Sequence, residues 1–302
     1  MLRSVYIHLG LHKTASTFLQ KQFFPLFADQ CGYVSLRTDL RAFLDYILYS
    51  HDFDFDAGVA LQLLSEGLSN CGHDGDVLTI SDEQFCGSPW DNARDRRRYF
   101  DRLFSCFPGA KFIIVFRNQE EMTKSLYLQY VKTGGAASSN QFLTFNRPPL
   151  EFARGAYLDY GSYVDYILAI VKKKDSLKCL FYEDMKVSPQ AFFNDLAGFI
   201  GFEILLSPVS NVANKTENKS LSAIAVPLVR FFNKLFASPR DPFLLVPSKL
   251  RAAIVKTVIF IFPRSRKDVL DLELLNVFCQ ESKRKNEILS KAAGRSIQAI
   301  GY

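Results

Sequence analysis

Short apolar runs alternate with helical patterns along the first two-thirds of the chain. Between these runs, hydrophobic residues recur at the three- and four-residue spacing of amphipathic helices. Alternating strands and helices predict a parallel sheet with helices on both faces, and ligands bind such sheets beyond the carboxyl ends of the strands. The predicted strands are "SVYIHLG" at 4–10, "GYVSL" at 32–36, "DVLTISD" at 76–82, "KFIIVFR" at 111–117 and "LKCLFYE" at 177–183. We therefore predict a three-layer α/β/α fold around a central, mostly five-stranded parallel sheet.

The pattern changes near residue 205, after which the sequence predicts helices without strands. Two long segments, "SLSAIAVPLVRFFNKLFAS" and "LDLELLNVFCQESKRKNEILSKAAG", have helical spacing. Residues 134–156 predict a long irregular loop, of the kind that often covers an active site. We expect a single domain over 1–302, with an α/β core over 1–205 and a helical C-terminal elaboration over 206–302.

The composition is that of an ordinary globular protein, with 48% hydrophobic and 23% charged residues. The six cysteines lie far apart and form no C-x-x-C pair, which favours reduced thiols over a disulfide framework or a zinc site. The first apolar run is too short for a signal peptide, and no stretch of about 18 apolar residues is present. We expect a cytoplasmic protein whose association with membranes, if any, is peripheral.

Positive charge is concentrated in one part of the chain. The net charge is +6, and the segment 219–267 contains ten Lys or Arg residues but one acid, Asp241. This segment is also strongly apolar, as in "AAIVKTVIFIF". A basic and apolar segment fits a wall for an anionic ligand, a patch in peripheral contact with a membrane, or helices with a solvated basic face.

The first predicted strand leads into a loop, "HLGLHKTAST" at 8–17, that has the character of a phosphate-binding site. The P-loop spacing G-x-x-x-x-G-K-[ST] is not met, because Ile7 and His12 occupy the two glycine positions. A loop between a strand and a helix presents backbone N–H groups to an anion, and Lys13 adds a positive charge. Hydroxyl donors are available at Thr14, Ser16 and Thr17. These groups suit one phosphate or sulfonate better than a triphosphate.

Two further motifs follow at the ends of predicted strands. In "VFRNQEEMTKSLYLQY", Arg117 ends a strand and Ser125 lies eight residues later, about two turns into the next helix. Ser125 can therefore approach the same anion as the arginine. The segment "LFYEDMK" at 180–186 puts Tyr182 at another strand end.

Taken in this order, the three motifs resemble those of the sulfotransferases that use 3′-phosphoadenosine-5′-phosphosulfate (PAPS). In that family the 5′-phosphosulfate loop runs roughly K-[ST]-G-[ST]-T and the 3′-phosphate motif runs R-N-P-x-x-x-x-x-S. The resemblance covers residues 3–205 as a framework, with detailed matches at the motifs alone. It implies a P-loop NTPase-like fold, PAPS as cofactor, 3′,5′-adenosine bisphosphate (PAP) as product, and no metal.

The resemblance also implies roles for particular residues. Lys13, Ser16 and Thr17 match positions that bind the phosphosulfate, with Thr14, Ala15 and Phe18 as neighbours; Arg117 and Ser125 match the 3′-phosphate pair; Tyr182 matches the adenine contact. The chain departs from the family pattern at Ala15, where glycine is preferred, and at Gln119, where proline is preferred. Both departures bear on affinity more than on the identity of the cofactor.

The family closes a further loop over the nucleotide. The corresponding segment here is "NVANKTENKS" at 211–220, which lacks the Arg-Lys-Gly pattern of cytosolic members. Lys215 and Lys219 are its candidate phosphate contacts.

Sulfuryl transfer is an in-line displacement that needs charge stabilisation and a base. Lys13 is the candidate to neutralise the bridging oxygen as PAP leaves. The third predicted strand ends in "SDEQF", in the region where family members place a histidine or a glutamate. We predict Glu83 as the base, with Asp82 and His12 as alternatives. Since neighbouring strand residues face opposite ways, only one of the two acids can point into the cleft.

The predicted activity is therefore transfer of a sulfuryl group from PAPS to an acceptor hydroxyl, with a saccharide or glycolipid favoured. The alternatives are a sulfotransferase acting on a small metabolite or lipid hydroxyl, a P-loop kinase, and an inactive nucleotide-binding scaffold. No nucleic-acid-binding module is recognised. No metal site is predicted either, because His8 and His12 lie on a strand and a loop rather than on one helix face.

Overall fold

The structure, a computed structural model, describes residues 2–145, 151–152, 155–204, 221–235, 248–262 and 269–302. The candidate phosphate contacts Lys215 and Lys219 lie outside these residues.

The centre of the fold is a parallel sheet of four strands. In chain order they are β1 (Ser4–Leu9), β2 (Val77–Asp82), β3 (Lys111–Phe116) and β4 (Leu177–Phe181). Their spatial order is β2-β1-β3-β4. Residues 4–9 of β1 pair in register with residues 77–82 of β2, so Leu9 lies beside Asp82 where both strands end. The α/β class and the parallel sheet predicted from the sequence are confirmed.

The predicted strand at 32–36 is wrong, so the described part of the sheet has four strands rather than five. This segment makes one parallel bridge to the edge strand, between Tyr33 and Thr79. Gly32, with φ of +61°, turns the chain out of a short helix just before the bridge, and a turn begins at Leu36. Val34 and Leu36 are nevertheless buried. Burial alone explains why the segment is apolar.

Fourteen helices are described, numbered here in chain order. α1 runs from Ser16 to Leu26 as helical turns Ser16–Phe18 and Phe24–Leu26 around a π-helical turn, Leu19–Phe23. The others in the α/β part are α2 (Ala28–Cys31), α3 (Arg41–Tyr49), α4 (Ala57–Asn70), α5 (Arg96–Cys106), α6 (Gln119–Lys132), α7 (Ser139–Thr144), α8 (Tyr160–Val171), α9 (Tyr182–Val187) and α10 (Pro189–Ile200). The C-terminal part contains α11 (Val226–Leu235), α12 (Ser248–Ile261), α13 (Leu272–Lys283) and α14 (Asn286–Ala293).

Both faces of the sheet are buried, which explains the continuous apolar runs of its strands. Along β3, Ile113 and Val115 face the core that contains α1 and α10, where Phe23 and Phe193 stack with ring centroids 4.9 Å apart. The alternate residues of β3 face the opposite core, in which Phe112 lies 4.9 Å from Phe100 of α5.

The loop predicted at 134–156 contains a helix, α7. A capping box between Ser138 and Gln141 starts this helix, and Phe142 and Leu143 are buried on its inner side. Glycine and serine residues before the helix suggested an irregular segment, but a cap and two buried apolar residues suffice for a short helix. Among the described residues, no helix is long and apolar enough to cross a membrane.

Candidate active site

The loop between β1 and α1, residues 10–15, is called the anion loop below. Lys13 and Ala15 both have left-handed backbone, with φ of 67° and 66°. Alternation of right- and left-handed residues turns successive N–H groups toward one point and makes a concavity for an anion. The N-terminus of α1 follows directly and adds its dipole to the same place. The loop thus has the backbone of an anion site without the usual glycines.

Two of the predicted hydroxyl groups brace this loop. The Oγ1 of Thr14 and the Oγ of Ser16 both donate to the carbonyl of Leu11, at 2.7 and 3.0 Å. Thr14 is fully buried and Ser16 nearly so. Thr17 and Phe18 are partly exposed on the first turn of α1, where the Phe18 ring packs on α10. The structure therefore brings the predicted loop residues together, and it gives the Thr14 and Ser16 hydroxyl protons a role inside the loop.

Arg117 joins all three sequence motifs. Its Nη1 donates to the carbonyl of Lys13 at 3.2 Å, and its guanidinium carbon lies 5.0 Å from the ring centroid of Tyr182. The Nε of Arg117 is buried without a hydrogen-bond partner in the described part of the chain. Ser125 lies partly exposed on α6, outside the hydrogen bonds that join the described motifs. One arginine thus connects the anion loop to the predicted adenine contact.

Comparison with known proteins gives a family match for part of the chain. Residues 101–226, which include Arg117, Ser125 and Tyr182, match a family model described as a sulfotransferase domain. This part of the chain is similar to the sulfotransferase family. No curated protein matches it. The anion loop lies before the matched residues, so its assignment depends on its own geometry.

Solved structures of sulfotransferases are similar to the chain at low identity. A sulfotransferase from Alicyclobacillus acidocaldarius is 13% identical, with a TM-score of 0.57 and 99% of each chain covered. A sulfotransferase domain from the curacin biosynthetic pathway is 12% identical, with a TM-score of 0.43 over 96% of this chain and 98% of its own. A mouse sulfotransferase, SULT7A1, complexed with PAP is 13% identical, with a TM-score of 0.41 over 96% and 83%. The first of these supports the three-layer fold.

The region around these motifs is strongly cationic. Burial lowers the pKa of Lys13, and the charges of Lys132 and Arg117 lower it further. Lys186 lies 4.5 Å from the centroid of the Tyr182 ring, and burial followed by the charge of Arg117 lowers its pKa. Cations that disfavour one another's charged form are stabilised by an anion between them. These side chains therefore form a cationic cluster that an anion would stabilise.

Sequence reasoning missed two members of this cluster. Lys186 could have been predicted from the sequence. It follows Tyr182 by four residues in a motif already identified, so it lies on the same face of α9. Lys132 carried no local signal. It is the last residue of α6, and only the packing of that helix brings its charge near Lys13.

The two candidate acids have different environments. Asp82 is fully buried and accepts from Arg37 through both oxygens, Nε–Oδ2 at 2.8 Å and Nη2–Oδ1 at 3.1 Å. Its Oδ1 also accepts from the backbone N–H of Gln84 and caps the 3₁₀ turn Glu83–Cys86. Burial raises the pKa of Asp82, and the Arg37 hydrogen bonds oppose that rise. Asp82 is thus a paired structural carboxylate.

Glu83 is the more accessible acid and lies against the anion loop. Its side chain is 27% exposed, and its two oxygens lie 3.3 Å from Arg37 Nη2 and 3.3 Å from Gln20 Nε2. A Cβ on Gly10 would lie 3.2 Å from the Cα of Glu83, so only a glycine lets the two backbones approach so closely. Because β2 ends at Asp82 and Glu83 begins a 3₁₀ turn, strand alternation does not separate the two acids, and both contact Arg37.

His12, the third candidate, is held by Tyr157. The backbone N–H of His12 donates to the Tyr157 Oη at 2.9 Å, and its Nδ1 lies 3.2 Å from the same oxygen. Burial lowers the pKa of His12 to about 4, with Lys13 acting in the same direction and Asp82 opposing it. The imidazole is therefore neutral at neutral pH and weakly basic.

Proposed function

We propose that this protein is a sulfotransferase that transfers the sulfuryl group of PAPS to an acceptor hydroxyl and releases PAP. In the reaction, the bond between sulfur and the bridging oxygen breaks, a bond to the acceptor oxygen forms, and the acceptor proton passes to a base. The observation that carries the proposal is the position of Arg117, which contacts both Lys13 and Tyr182. A ligand with a 5′-anion, a 3′-phosphate and an adenine ring offers a partner to each of these groups.

The cationic cluster supplies the charge stabilisation that this reaction needs. Lys13 lies in the anion loop, where its ammonium can neutralise the negative charge that develops on the leaving bisphosphate. Arg117, with a buried Nε that lacks a partner among the described residues, is suited to the 3′-phosphate. Ser125 is assigned to the same phosphate and Tyr182 to the adenine by resemblance to the family. In-line transfer requires fixed geometry, and these contacts fix both ends of the cofactor.

We propose Glu83 as the general base. Its carboxylate is partly exposed beside the anion loop and accepts from Arg37 and Gln20 at 3.3 Å each, whereas Asp82 is fully buried and accepts from Arg37 through both oxygens at 2.8 and 3.1 Å. The imidazole of His12 is instead held at Nδ1 by the Oη of Tyr157, 3.2 Å away. Glu83→Gln should lower kcat about 100-fold or more while PAP affinity stays unchanged. Turnover that survives in this variant would exclude Glu83 as the base.

We propose a saccharide or glycolipid as the acceptor, with a small metabolite or lipid hydroxyl as the alternative. A glutamate base supports the first choice, since glycan-modifying family members use one. A screen of sugar, glycolipid and phenolic acceptors with PAPS, read as PAP release, distinguishes the two classes. Turnover with phenols alone would reject the saccharide.

We also propose a peripheral contact with an anionic membrane through the segment 219–267. In its described part, α11 buries Val226 and Val229, while larger apolar residues are exposed at helical spacing: Ile224, Leu228, Phe231 and Leu235. Exposed lysines at 234 and 256 add positive charge. Such a surface suits anionic lipid. Phe231→Ser should reduce flotation with phosphatidylserine vesicles, whereas Phe53→Ser, at another exposed phenylalanine, should not.

The decisive experiment for the cofactor is calorimetric titration with PAP, with 5′-AMP, and with ATP in the presence and absence of magnesium. Micromolar binding of PAP that is lost in Arg117→Ala is expected. Preferential binding of ATP that magnesium strengthens would favour the kinase instead. Tight PAP binding without turnover of any acceptor would favour the inactive scaffold.

A further inference from the structure

The start of α6, which carries the 3′-phosphate motif, is held by three successive contacts from the C-terminal part. The Nδ2 of Asn118 donates to the carbonyl of Gly301. The Nε2 of Gln119 donates to Oδ1 of Asn286 at 2.9 Å in a buried contact. The Nζ of Lys283 donates to Oε1 of Glu120 at 2.7 Å. Three consecutive residues next to Arg117 thus depend on residues about 160 or more positions later in the chain.

The peptide group that follows Arg117 is fixed at both ends. Its carbonyl oxygen accepts from the Oη of Tyr160 at 3.0 Å, and its N–H, on Asn118, donates to Oε1 of Glu183 at 3.1 Å. Asn118 also caps α6, since its Oδ1 accepts from the N–H groups of residues 120 and 121. The backbone that aims Arg117 therefore has little freedom.

Tyr302 completes this arrangement. Its Oη donates to Oε2 of Glu183 at 3.0 Å, and its ring packs edge-on against Phe181, with centroids 5.1 Å apart. The other oxygen of Glu183 is the one that holds Asn118. Because both oxygens of this carboxylate are engaged, the phenol orients the group that orients the Arg117 backbone. Gly301 contributes through close approach, since a Cβ there would lie 2.9 Å from Nδ2 of Asn118.

We propose that residues 283–302 position Arg117 for the 3′-phosphate, with Tyr302 as a positioning residue that acts through Glu183. This inference rests on the proposed use of PAPS. It predicts that the C-terminal segment sets the preference of the protein for PAP over 5′-AMP, two ligands that differ only in the 3′-phosphate. Residues 301 and 302 contribute to selectivity while lying outside the motifs.

The test is calorimetric titration of Tyr302→Phe with PAP and with 5′-AMP. We expect the preference for PAP to fall roughly three- to tenfold, because a hydrogen bond to a charged group is lost one step away from Arg117. Affinity for 5′-AMP should change less than about twofold on the same reasoning. The matched control is Tyr166→Phe, which also loses a phenol–carboxylate hydrogen bond, to Asp101 on the surface of α5.

A second pair of variants keeps the test independent of the phenol. Gly301→Ala places a methyl group against Asn118 at a φ of +91°, whereas Gly294→Ala has a φ of +69° and no atom within 4 Å. Because Gly294 lies within the proposed positioning segment, the control for Gly301→Ala is Gly72→Ala, at a glycine outside the segment with a φ of +72° and no atom within 4 Å. Both Gly301→Ala and Gly72→Ala strain the backbone, but only Gly301→Ala should reduce the preference for PAP. A preference that is unchanged in Tyr302→Phe and Gly301→Ala, or that falls equally in the controls, would overturn the proposal. A parent protein without any preference for PAP would instead overturn the proposed function.

Discussion

Gly10 has no room for a side chain, and this makes it a sensitive test of the active-site geometry. A Cβ added there would lie 2.9 Å from the Oγ of Ser16, 3.2 Å from the Cα of Glu83 and 3.4 Å from its backbone nitrogen. Ser16 can yield only by giving up its hydrogen bond to Leu11, at a cost of about 1 kcal/mol. Glu83 can yield only by shifting the start of a turn that Asp82 caps. Overpacking of this kind costs roughly 1–3 kcal/mol.

We therefore predict that Gly10→Ala destabilises the protein by about 1–3 kcal/mol and lowers kcat about tenfold or more, since small misplacements of reacting groups are costly. Urea unfolding gives the first quantity, and PAP release with a saturating acceptor gives the second. The control is Gly109→Ala, because a Cβ on Gly109 meets no atom within 4 Å. If Gly10→Ala matches its parent in unfolding midpoint and kcat, Glu83 does not lie against the anion loop as described.

Three further predictions test the loop and its charges. Ala15→Gly removes the strain of a left-handed backbone from an alanine, and Lys172→Gly does the same far from the site. Each substitution should change the free energy of unfolding by less than about 1 kcal/mol, because the glycine also loses chain entropy on folding. Urea unfolding midpoints check this expectation. A larger loss in Ala15→Gly alone would mean that the Ala15 methyl group has a packing role. In the folded protein the pKa of His12 is about 4, below its unfolded value of 6.5. The contribution of His12 to stability is therefore complete above about pH 6.5 and declines as the pH falls toward 4. In urea unfolding at several pH values, His12→Asn should reduce that decline. Lys132→Met should weaken PAP and 5′-AMP equally, by about three- to tenfold in calorimetry, because the charge of Lys132 acts on Lys13 in the anion loop. A loss confined to PAP would instead place Lys132 at the 3′-phosphate.

The fold and the three motifs could be predicted from the sequence because both depend on local signals. Buried parallel strands are short apolar runs, and their carboxyl ends meet at one edge of the sheet, so residues that follow different strands come together. Arg117 and Tyr182 are 65 residues apart in the chain, yet they end neighbouring strands, β3 and β4. The error at 32–36 has the same origin, because an apolar run shows burial and not pairing.

The contacts that tune the site could not be predicted in this way. The charge of Lys132 is brought near Lys13 by the packing of a whole helix, and Tyr157 contacts His12 across 145 residues of sequence. The environments of Asp82 and Glu83 depend on Arg37, which lies in a turn just after the segment wrongly predicted as a strand. Each of these contacts is set by tertiary packing, which periodicity and spacing do not encode.

The departure from the family pattern at Gln119 gains a physical explanation from the C-terminal contacts. Proline at the first position of a helix costs no hydrogen bond and fixes φ at a helical value, so it holds a helix start without outside help. In this chain the same position is a fully buried glutamine that donates to Asn286 of α14. The start of α6, just after Arg117, is thus held by contacts with the C-terminal part of the chain instead of by the ring of a proline. Replacing Gln119 with proline should therefore lower the free energy of unfolding. The loss should be smaller in a protein that already carries Asn286→Ala, because the contact is then already absent.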